Sequence, residues 1–361
     1  MNRKVSIIGT VGIPAKYGGF ETLAENLVKY LSNKYDITVY CSSKSYDEQL
    51  NNYNGAKLRY INLNANGIQS ILYDIVSIFD SLKFADVLLI LGVSGCIILP
   101  FVKLFSRKKI VVNIDGLEWK RNKWGKITQC FLKFSEKLAV KYADMVVSDN
   151  KVVQDYIFNE YGVKSVFIAY GGNHVTKEPL SDELKSKYRF LEEKYACTVC
   201  RIEPENNIHL ILEAFNEYGK LNLVIIGNWS NSNYGRNLMQ KYSSAKNIFM
   251  LSPIYDQKIL NQIRINCFLY IHGHSAGGTN PSLVEAMYLG LPIFAFDAEY
   301  NKQTTCYKAK YFRDKDELVE LLNSLDENEL QKIAVNMRDF ALKNYTWEKI
   351  SQQYAELFSS L

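Results

Sequence analysis

Cys267-Phe-Leu-Tyr-Ile271 leads into His272-Gly-His-Ser-Ala-Gly-Gly-Thr-Asn-Pro-Ser-Leu-Val-Glu-Ala-Met287, and Leu291-Pro-Ile-Phe-Ala-Phe296 follows. The outer runs are short, apolar and bounded by turn residues, as buried strands are. The middle reads as a loop and then a helix. Its small residues let bare backbone N–H groups face an anion where the helix begins. Glu285, inside that helix, can accept hydrogen bonds from a sugar hydroxyl. The pattern describes a sugar-nucleotide site, with phosphate on the loop Gly277, Gly278, Thr279 and Asn280 and ribose on Glu285.

The same alternation extends in both directions. Strands are expected at 4–9, 37–41, 58–62, 87–91, 110–114, 145–148 and 165–169, with helical runs such as Glu21–Leu31, Ile68–Phe84 and Trp124–Tyr142 between them. A polar stretch, Gly171 to Ser186, interrupts the pattern and reads as a linker. Strands resume at 197–201, 222–226, 248–250, 267–271 and 292–296. Strand–helix alternation of this kind builds parallel sheets with helices on both faces. The expected fold is α/β, with two doubly wound Rossmann-like domains facing a cleft: 1–175, 176–345, and an amphipathic tail at 346–361. Ligands of such sheets lie beyond the carboxyl ends of the strands.

Composition narrows the class. The chain has 361 residues, 47% of them apolar, with few prolines, so two ordinary cores are expected rather than disorder. Residues 1–175 hold 22 Lys/Arg against 15 Asp/Glu, whereas the remainder holds 21 against 23. A basic first half suits an anionic partner, either nucleic acid or a membrane surface. Seven scattered cysteines, an odd count, fit a reducing compartment. Cys197 and Cys200 form a C-x-x-C in strand context with no second pair, so buried thiols are expected there rather than zinc. Val5-Ser-Ile-Ile8 is too short for a signal peptide's apolar region, and no uncharged run reaches the length of a membrane span.

A second glycine loop, Gly9-Thr-Val-Gly-Ile-Pro-Ala-Lys-Tyr-Gly-Gly-Phe-Glu21, follows the first strand. Its spacing is not that of a dinucleotide fingerprint, and the next strand ends Thr38-Val-Tyr-Cys41 without a ribose-binding acid. No Gly-Lys-Ser/Thr follows, so it is no P-loop. Gly12, Gly18 and Gly19 allow a phosphate or hydroxyl to approach the helix start. Glu21 either acts in a site or stabilises the first helical turn.

The stretch from His272 to Met287 resembles the nucleotide-sugar end of retaining, family 4-like glycosyltransferases of the GT-B fold. That family places two Glu residues eight positions apart. Glu285 matches the second, and Gly277 stands where the first belongs. The run Gly277-Gly-Thr-Asn-Pro-Ser-Leu283 and the run Gly12-Ile-Pro-Ala-Lys-Tyr-Gly-Gly-Phe-Glu-Thr22 are both similar to a subgroup of bacterial rhamnosyltransferases of capsule and cell-wall assembly. The resemblance implies roles for further residues. Tyr17 lines the acceptor path. Asp115, in Asp115-Gly-Leu-Glu-Trp-Lys-Arg121, takes the place of a sugar-contacting residue, or receives the acceptor proton, or is a plain helix cap. Arg201 meets the donor diphosphate, and Asn206 stands where the family has Lys. Tyr255 is near the base or is buried, and His274 contacts the donor sugar or is structural.

From Trp119 to Tyr142 basic residues interleave with Trp124, Phe131 and Leu138, the pattern of a helix lying on an anionic membrane or of an ordinary surface helix. The resemblance implies transfer of L-rhamnose from dTDP-rhamnose, with retention, to a polyprenyl-diphosphate-linked saccharide. It implies a cytoplasmic protein peripheral to the inner face of the plasma membrane, with no cofactor, metal or nucleic-acid partner. A UDP-sugar-dependent transferase, a sugar-nucleotide epimerase of the same architecture, and a non-catalytic membrane-binding module are the alternatives.

Overall fold

The run Val87–Leu91 is buried at every position, as a strand covered on both faces by helices must be. The computed structural model describes residues 2–16, 18–114, 116–120 and 124–361. It divides into two compact units, Met1–Tyr170 with Trp347–Leu361, and Gly171–Thr346.

The first unit threads β1 (Arg3–Ile8), α1 (Gly19–Leu31), β2 (Tyr35–Ser42), β3 (Asn52–Tyr53), β4 (Ala56–Ile61), α2 (Gln69–Ser81), β5 (Val87–Leu91), α3 (Leu99–Phe105), β6 (Lys109–Ile114), α4 (Lys126–Tyr142), β7 (Met145–Ser148), α5 (Lys151–Tyr161) and β8 (Val166–Phe167). The sheet order is β3-β4-β2-β1-β5-β6-β7-β8, parallel except where β3 pairs antiparallel to β4. The second unit contains α6 (Asp182–Lys187), β9 (Tyr195–Val199), α7 (Ile208–Tyr218), β10 (Asn222–Ile226), α8 (Asn233–Lys241), β11 (Ile248–Leu251), α9 (Gln257–Ile265), β12 (Leu269–His272), α10 (Pro281–Leu289), β13 (Ile293–Phe296), α11 (Glu299–Thr304), β14 (Lys310–Phe312), α12 (Lys315–Asn323) and α13 (Glu327–Asn344). Its six strands are all parallel, in the order β11-β10-β9-β12-β13-β14.

Every strand expected from the alternation is present, and two more are added. β3 is a two-residue partner of β4 across the turn Asn54-Gly55, whose φ angles of 48° and 87° suit a hairpin turn. β14 is a three-residue edge strand. Neither is long enough to register as an apolar period.

Each sheet reverses direction at its first strand. β1 lies between β2 and β5, and β9 lies between β10 and β12. Loops leaving the carboxyl ends of such a pair diverge to opposite faces and leave a crevice. Right-handed crossovers place α2, α3, α4 and α5 on one face of the first sheet and α1 on the other.

The last helix, α14 (Trp347–Ser360), belongs to the first unit and packs beside α1. Trp347, Ile350, Tyr354 and Phe358 recur at helical spacing and are all buried. Tyr30 donates to Glu348 at 2.7 Å, Tyr35 donates to the Ala355 carbonyl at 3.0 Å, and the Tyr35 and Phe358 rings meet edge to face. The Asn113 amide, at the carboxyl end of β6, donates to the Tyr354 hydroxyl at 2.8 Å.

Of the two readings of Trp119–Tyr142, a membrane-lying or an ordinary surface helix, the packing of α4 favours the second. Leu132, Ala139 and Val140 pack inward, and the Trp124 indole donates to Glu118 at 3.0 Å. Its apolar stripe is largely spent on the core, with only Ile127 and Phe134 among its large apolar side chains well exposed. Among the described residues no helix is long and apolar enough to cross a membrane. All seven cysteines are free; Cys130 and Cys306 are exposed, Cys200 is half-buried and the rest are buried.

Tyr354→Phe leaves the Asn113 amide without this acceptor and is expected to cost about 1–2 kcal/mol. Tyr354→Ala also empties a fully buried ring site and is expected to cost about 3–5 kcal/mol. Urea unfolding of the two variants against the parent separates these contributions.

Candidate functional site

β9 and β12 are the reversal pair of the second sheet, and the loops that leave them are stitched together. After β9 the chain makes a tight turn through Pro204–Asn206. Asn206 donates from its amide nitrogen to the Arg201 carbonyl at 2.7 Å, which fixes the amide's orientation. Its oxygen lies 2.8 Å from His274 Nδ1, so that nitrogen carries the proton. Asn207 donates to the Gly273 carbonyl at 2.8 Å, and the Ser275 amide donates to the Glu205 carbonyl at 2.8 Å. Gly273 is required here, because a Cβ would collide with the Asn206 carbonyl.

Asn206 therefore spends both ends of its side chain on protein partners, and His274 is buried and held by it. Gly277 has φ 137°, and a Cβ at this position would sit 2.8 Å from His274 Nε2. The loop that lacks the first family acid is thus shaped around the His274 ring. Gly277, Gly278 and Thr279 are buried, and Asn280 caps α10 by accepting from the Ser282 amide at 3.0 Å. Pro281 follows at the first helical position, where its missing N–H removes no hydrogen bond.

Glu285 lies one turn further along α10. One carboxylate oxygen meets the Arg264 guanidinium of α9, and the other is 3.0 Å from His174 Nε2. Burial works to raise the Glu285 pKa, but the Arg264 charge and the His174 contact outweigh it and hold the carboxyl near about 2. Arg264 is itself only 1% exposed. Neither Arg264 nor His174 was singled out by sequence reasoning. The available signal for Arg264 was its place beside Leu260 and Ile263 on the buried side of α9. His174 falls in the segment read as linker, which instead packs within the second unit: a Cβ on Gly172 would lie 2.9 Å from the Val284 carbonyl.

Arg201 stands just past β9, its side chain 41% exposed and its Nε 3.8 Å from a Glu203 oxygen. Tyr255 is 60% exposed, which removes the reading of a buried ring. It follows β11, two strands from β9 in the sheet. His272 is buried at the end of β12 with no partner on Nε2, and burial lowers its pKa to about 3. Cys197 lies buried in β9, and among the described residues no cluster of three or more His, Cys, Asp or Glu could hold a metal ion.

In the first unit, the β1–α1 loop is braced from within. Glu21 is buried and accepts from the Thr10 hydroxyl at 3.0 Å and the Val11 amide at 2.7 Å. Its carboxylate is a staple between loop and helix, a contact that neither the site role nor the dipole role read from the sequence includes. Gly18, with φ 131°, lies against that carboxylate so closely that a Cβ would overlap it. A Cβ on Gly12 would lie 2.7 Å from Cys41 Sγ. Gly19 opens α1. Tyr17, Asp115 and Arg121 lie outside the described residues.

Two tests follow from this geometry. Gly277→Glu restores the spacing of two acids but forces a side chain into the His274 ring at positive φ, so it is expected to lose about 1–3 kcal/mol in urea unfolding. Glu285→Gln is expected to cost about 3 kcal/mol at pH 7, the worth of a carboxyl held near 2 rather than at its ordinary value. A lowered carboxyl pKa contributes stability in full above about pH 5 and loses it as pH falls toward 2. The gap between parent and variant should therefore close in acid, which unfolding curves at pH 7, 5 and 3 measure.

Comparison with known proteins places both units. Residues 181–343 match the family Glycosyl transferases group 1, and residues 2–173 match a domain of unknown function, DUF1972. Protein CapJ of Staphylococcus aureus is 25% identical over 293 residues, spanning 76% of this chain and 73% of CapJ. Sucrose-phosphate synthase of Thermosynechococcus elongatus superposes with a TM-score of 0.83 at 12% identity, covering 99% of each chain. Anabaena HepE, crystallised with UDP and glucose, superposes with a TM-score of 0.77 at 16% identity over 100% of each chain. By these matches the chain has the GT-B fold, its second unit resembling the group 1 glycosyltransferases and its first matching the DUF1972 domain.

Proposed function

We propose that this chain is a glycosyltransferase that moves L-rhamnose from dTDP-rhamnose, with retention, to a lipid-linked saccharide at the inner membrane face during surface-polysaccharide assembly. The observation that carries the donor side is the stitched loop pair at the β9/β12 reversal, with an ionised Glu285 behind it. A carboxylate that stays charged at neutral pH accepts ribose hydroxyl hydrogen bonds without first losing a proton. The start of α10 and the amides of Gly278 and Thr279 offer a partial positive charge to the diphosphate. Arg201 adds a guanidinium fork. His274 and Tyr255 are assigned to the donor sugar and the base, and Asn206 to holding the His274 ring.

The reaction breaks the bond between the sugar's anomeric carbon and the diphosphate and forms one to an acceptor hydroxyl on the same face. Negative charge grows on the leaving diphosphate, whose oxygen takes the acceptor proton. The protein's contribution is electrostatic, with Arg201 and the loop amides stabilising that growing charge. Asp115, which follows β6 in sequence, is assigned to the acceptor sugar together with Gly12, Tyr17, Gly18 and Gly19. The choice of rhamnose rests on the two sequence runs Gly277–Leu283 and Gly12–Thr22. A UDP-sugar donor is the second reading, favoured by the structural likeness to HepE, which binds UDP and UDP-glucose in its crystals.

Calorimetry with dTDP, UDP and dTDP-rhamnose tests both readings. The expected result is a preference for the dTDP ligands, weakened about 10–100-fold in Arg201→Ala, the loss of charge-assisted contacts worth about 1.5–3 kcal/mol. A preference for UDP replaces the donor. Binding of none of the three overturns the donor site.

A further inference from the structure

The outer face of α2 and α3 in the first unit is apolar where a solvated helix layer would be polar. α2 and the residue before it present Ile68, Leu72, Val76 and Phe79, spaced four, four and three, and exposed by 81%, 57%, 42% and 42%. α3 adds Phe101, Leu104 and Phe105, exposed by 54%, 74% and 70%. The two helices meet where Phe79 and Phe101 stand edge to face at 6.2 Å, and within α3 the tilted Phe101 and Phe105 rings lie 4.5 Å apart. Seven large side chains on two neighbouring elements form one patch, whereas single exposed apolar residues elsewhere need no explanation. The helix interior does not require them, because α2 buries its opposite side through Tyr73, Ser77 and Ile78.

The run of charge that borders the patch is basic. Ser106-Arg107-Lys108-Lys109 follows α3 directly, and the Arg107 side chain is exposed. The nearby acids are already engaged. Asp80 pairs with Arg59 and Lys83, Asp144 pairs with Lys103, Asp86 accepts from the Lys4 amide, and Asp74 is buried against Ser94. A wide apolar face with aromatic rings and a cationic rim is the makeup of a surface that lies in a bilayer interface, apolar groups among the acyl chains and cations at the headgroups. The geometry points to the α2–α3 face, and not α4, as the part of this protein that docks on an anionic lipid leaflet. The proposal deepens the reading of a lipid-linked acceptor, but its test involves no sugar donor, so the two fail separately.

The test is sedimentation of the full chain with vesicles of phosphatidylglycerol and phosphatidylcholine, and with phosphatidylcholine alone. The parent is expected to bind the mixed vesicles and to leave them as salt rises. Leu104→Glu with Phe105→Glu should reduce bound protein at least tenfold, since two apolar insertions are lost and two acids are added. Arg107→Glu with Lys108→Glu should reduce binding to mixed vesicles and leave the weaker binding to phosphatidylcholine unchanged. Met239→Glu, an exposed apolar position on α8 of the second unit, is the control and should bind as the parent does. Thermal melting by circular dichroism verifies that each variant is folded. Equal binding of the parent and the Leu104/Phe105 variant overturns the proposal. So does equal binding to both vesicle types, and so does a concentration-dependent dimer in ultracentrifugation that this double variant abolishes, which would make a second copy the occupant.

Discussion

Arg264 cannot shed its charge, and it is buried. A guanidinium without water must have an anion beside it, and Glu285 is that anion. The pair fixes α9 against α10, and His174 on the other carboxylate oxygen ties in the start of the unit. Three segments far apart in sequence thus converge on one side chain. The carboxylate cannot protonate near neutral pH without leaving the guanidinium uncompensated. Its charge is in this sense a structural property of the unit, available to any ligand that reaches it.

Above that pair, the two loops of the reversal strands hold one another in shape. The contacts are mostly to backbone carbonyls, from Asn206 to Arg201 and from Asn207 to Gly273, so they set main-chain geometry directly. The His274 ring fills the space beside Gly277. Where the resembled family carries an acid, this chain has a glycine with an imidazole from three residues earlier beside it. The first unit shows the same device with different parts, since Glu21 accepts from Thr10 and Val11 where Gly18 leaves room for its carboxylate.

The sheets were legible because a parallel strand covered on both faces is apolar throughout, and runs such as Val87–Leu91 and Asn222–Ile226 carry that signature without help from context. β3 and β14 escaped because two- and three-residue strands show no period. The loops at Gly9–Glu21 and His272–Asn280 were legible through their glycines. Partnerships were not. Nothing local in the sequence joins His174 to Glu285 across 111 positions, or tells that Asn206 turns inward to His274 while Tyr255 stays in solvent. The amphipathic period of α4 was real, but period alone does not say whether an apolar stripe faces a core or a membrane. Packing adds that Leu132, Ala139 and Val140 face the core.

The thiols have a consequence for how the molecule can be observed. Burial pushes Cys41 up to about 11 and Cys197 and Cys200 up to about 12, and raises Cys96 and Cys267 as well. At neutral pH these five are scarcely ionised, and the thiolate is the form that reacts with alkylating reagents. Cys130 and Cys306 are the two exposed sulfurs, one in each unit. The native chain therefore offers one reactive sulfur on each unit for labelling without engineered sites.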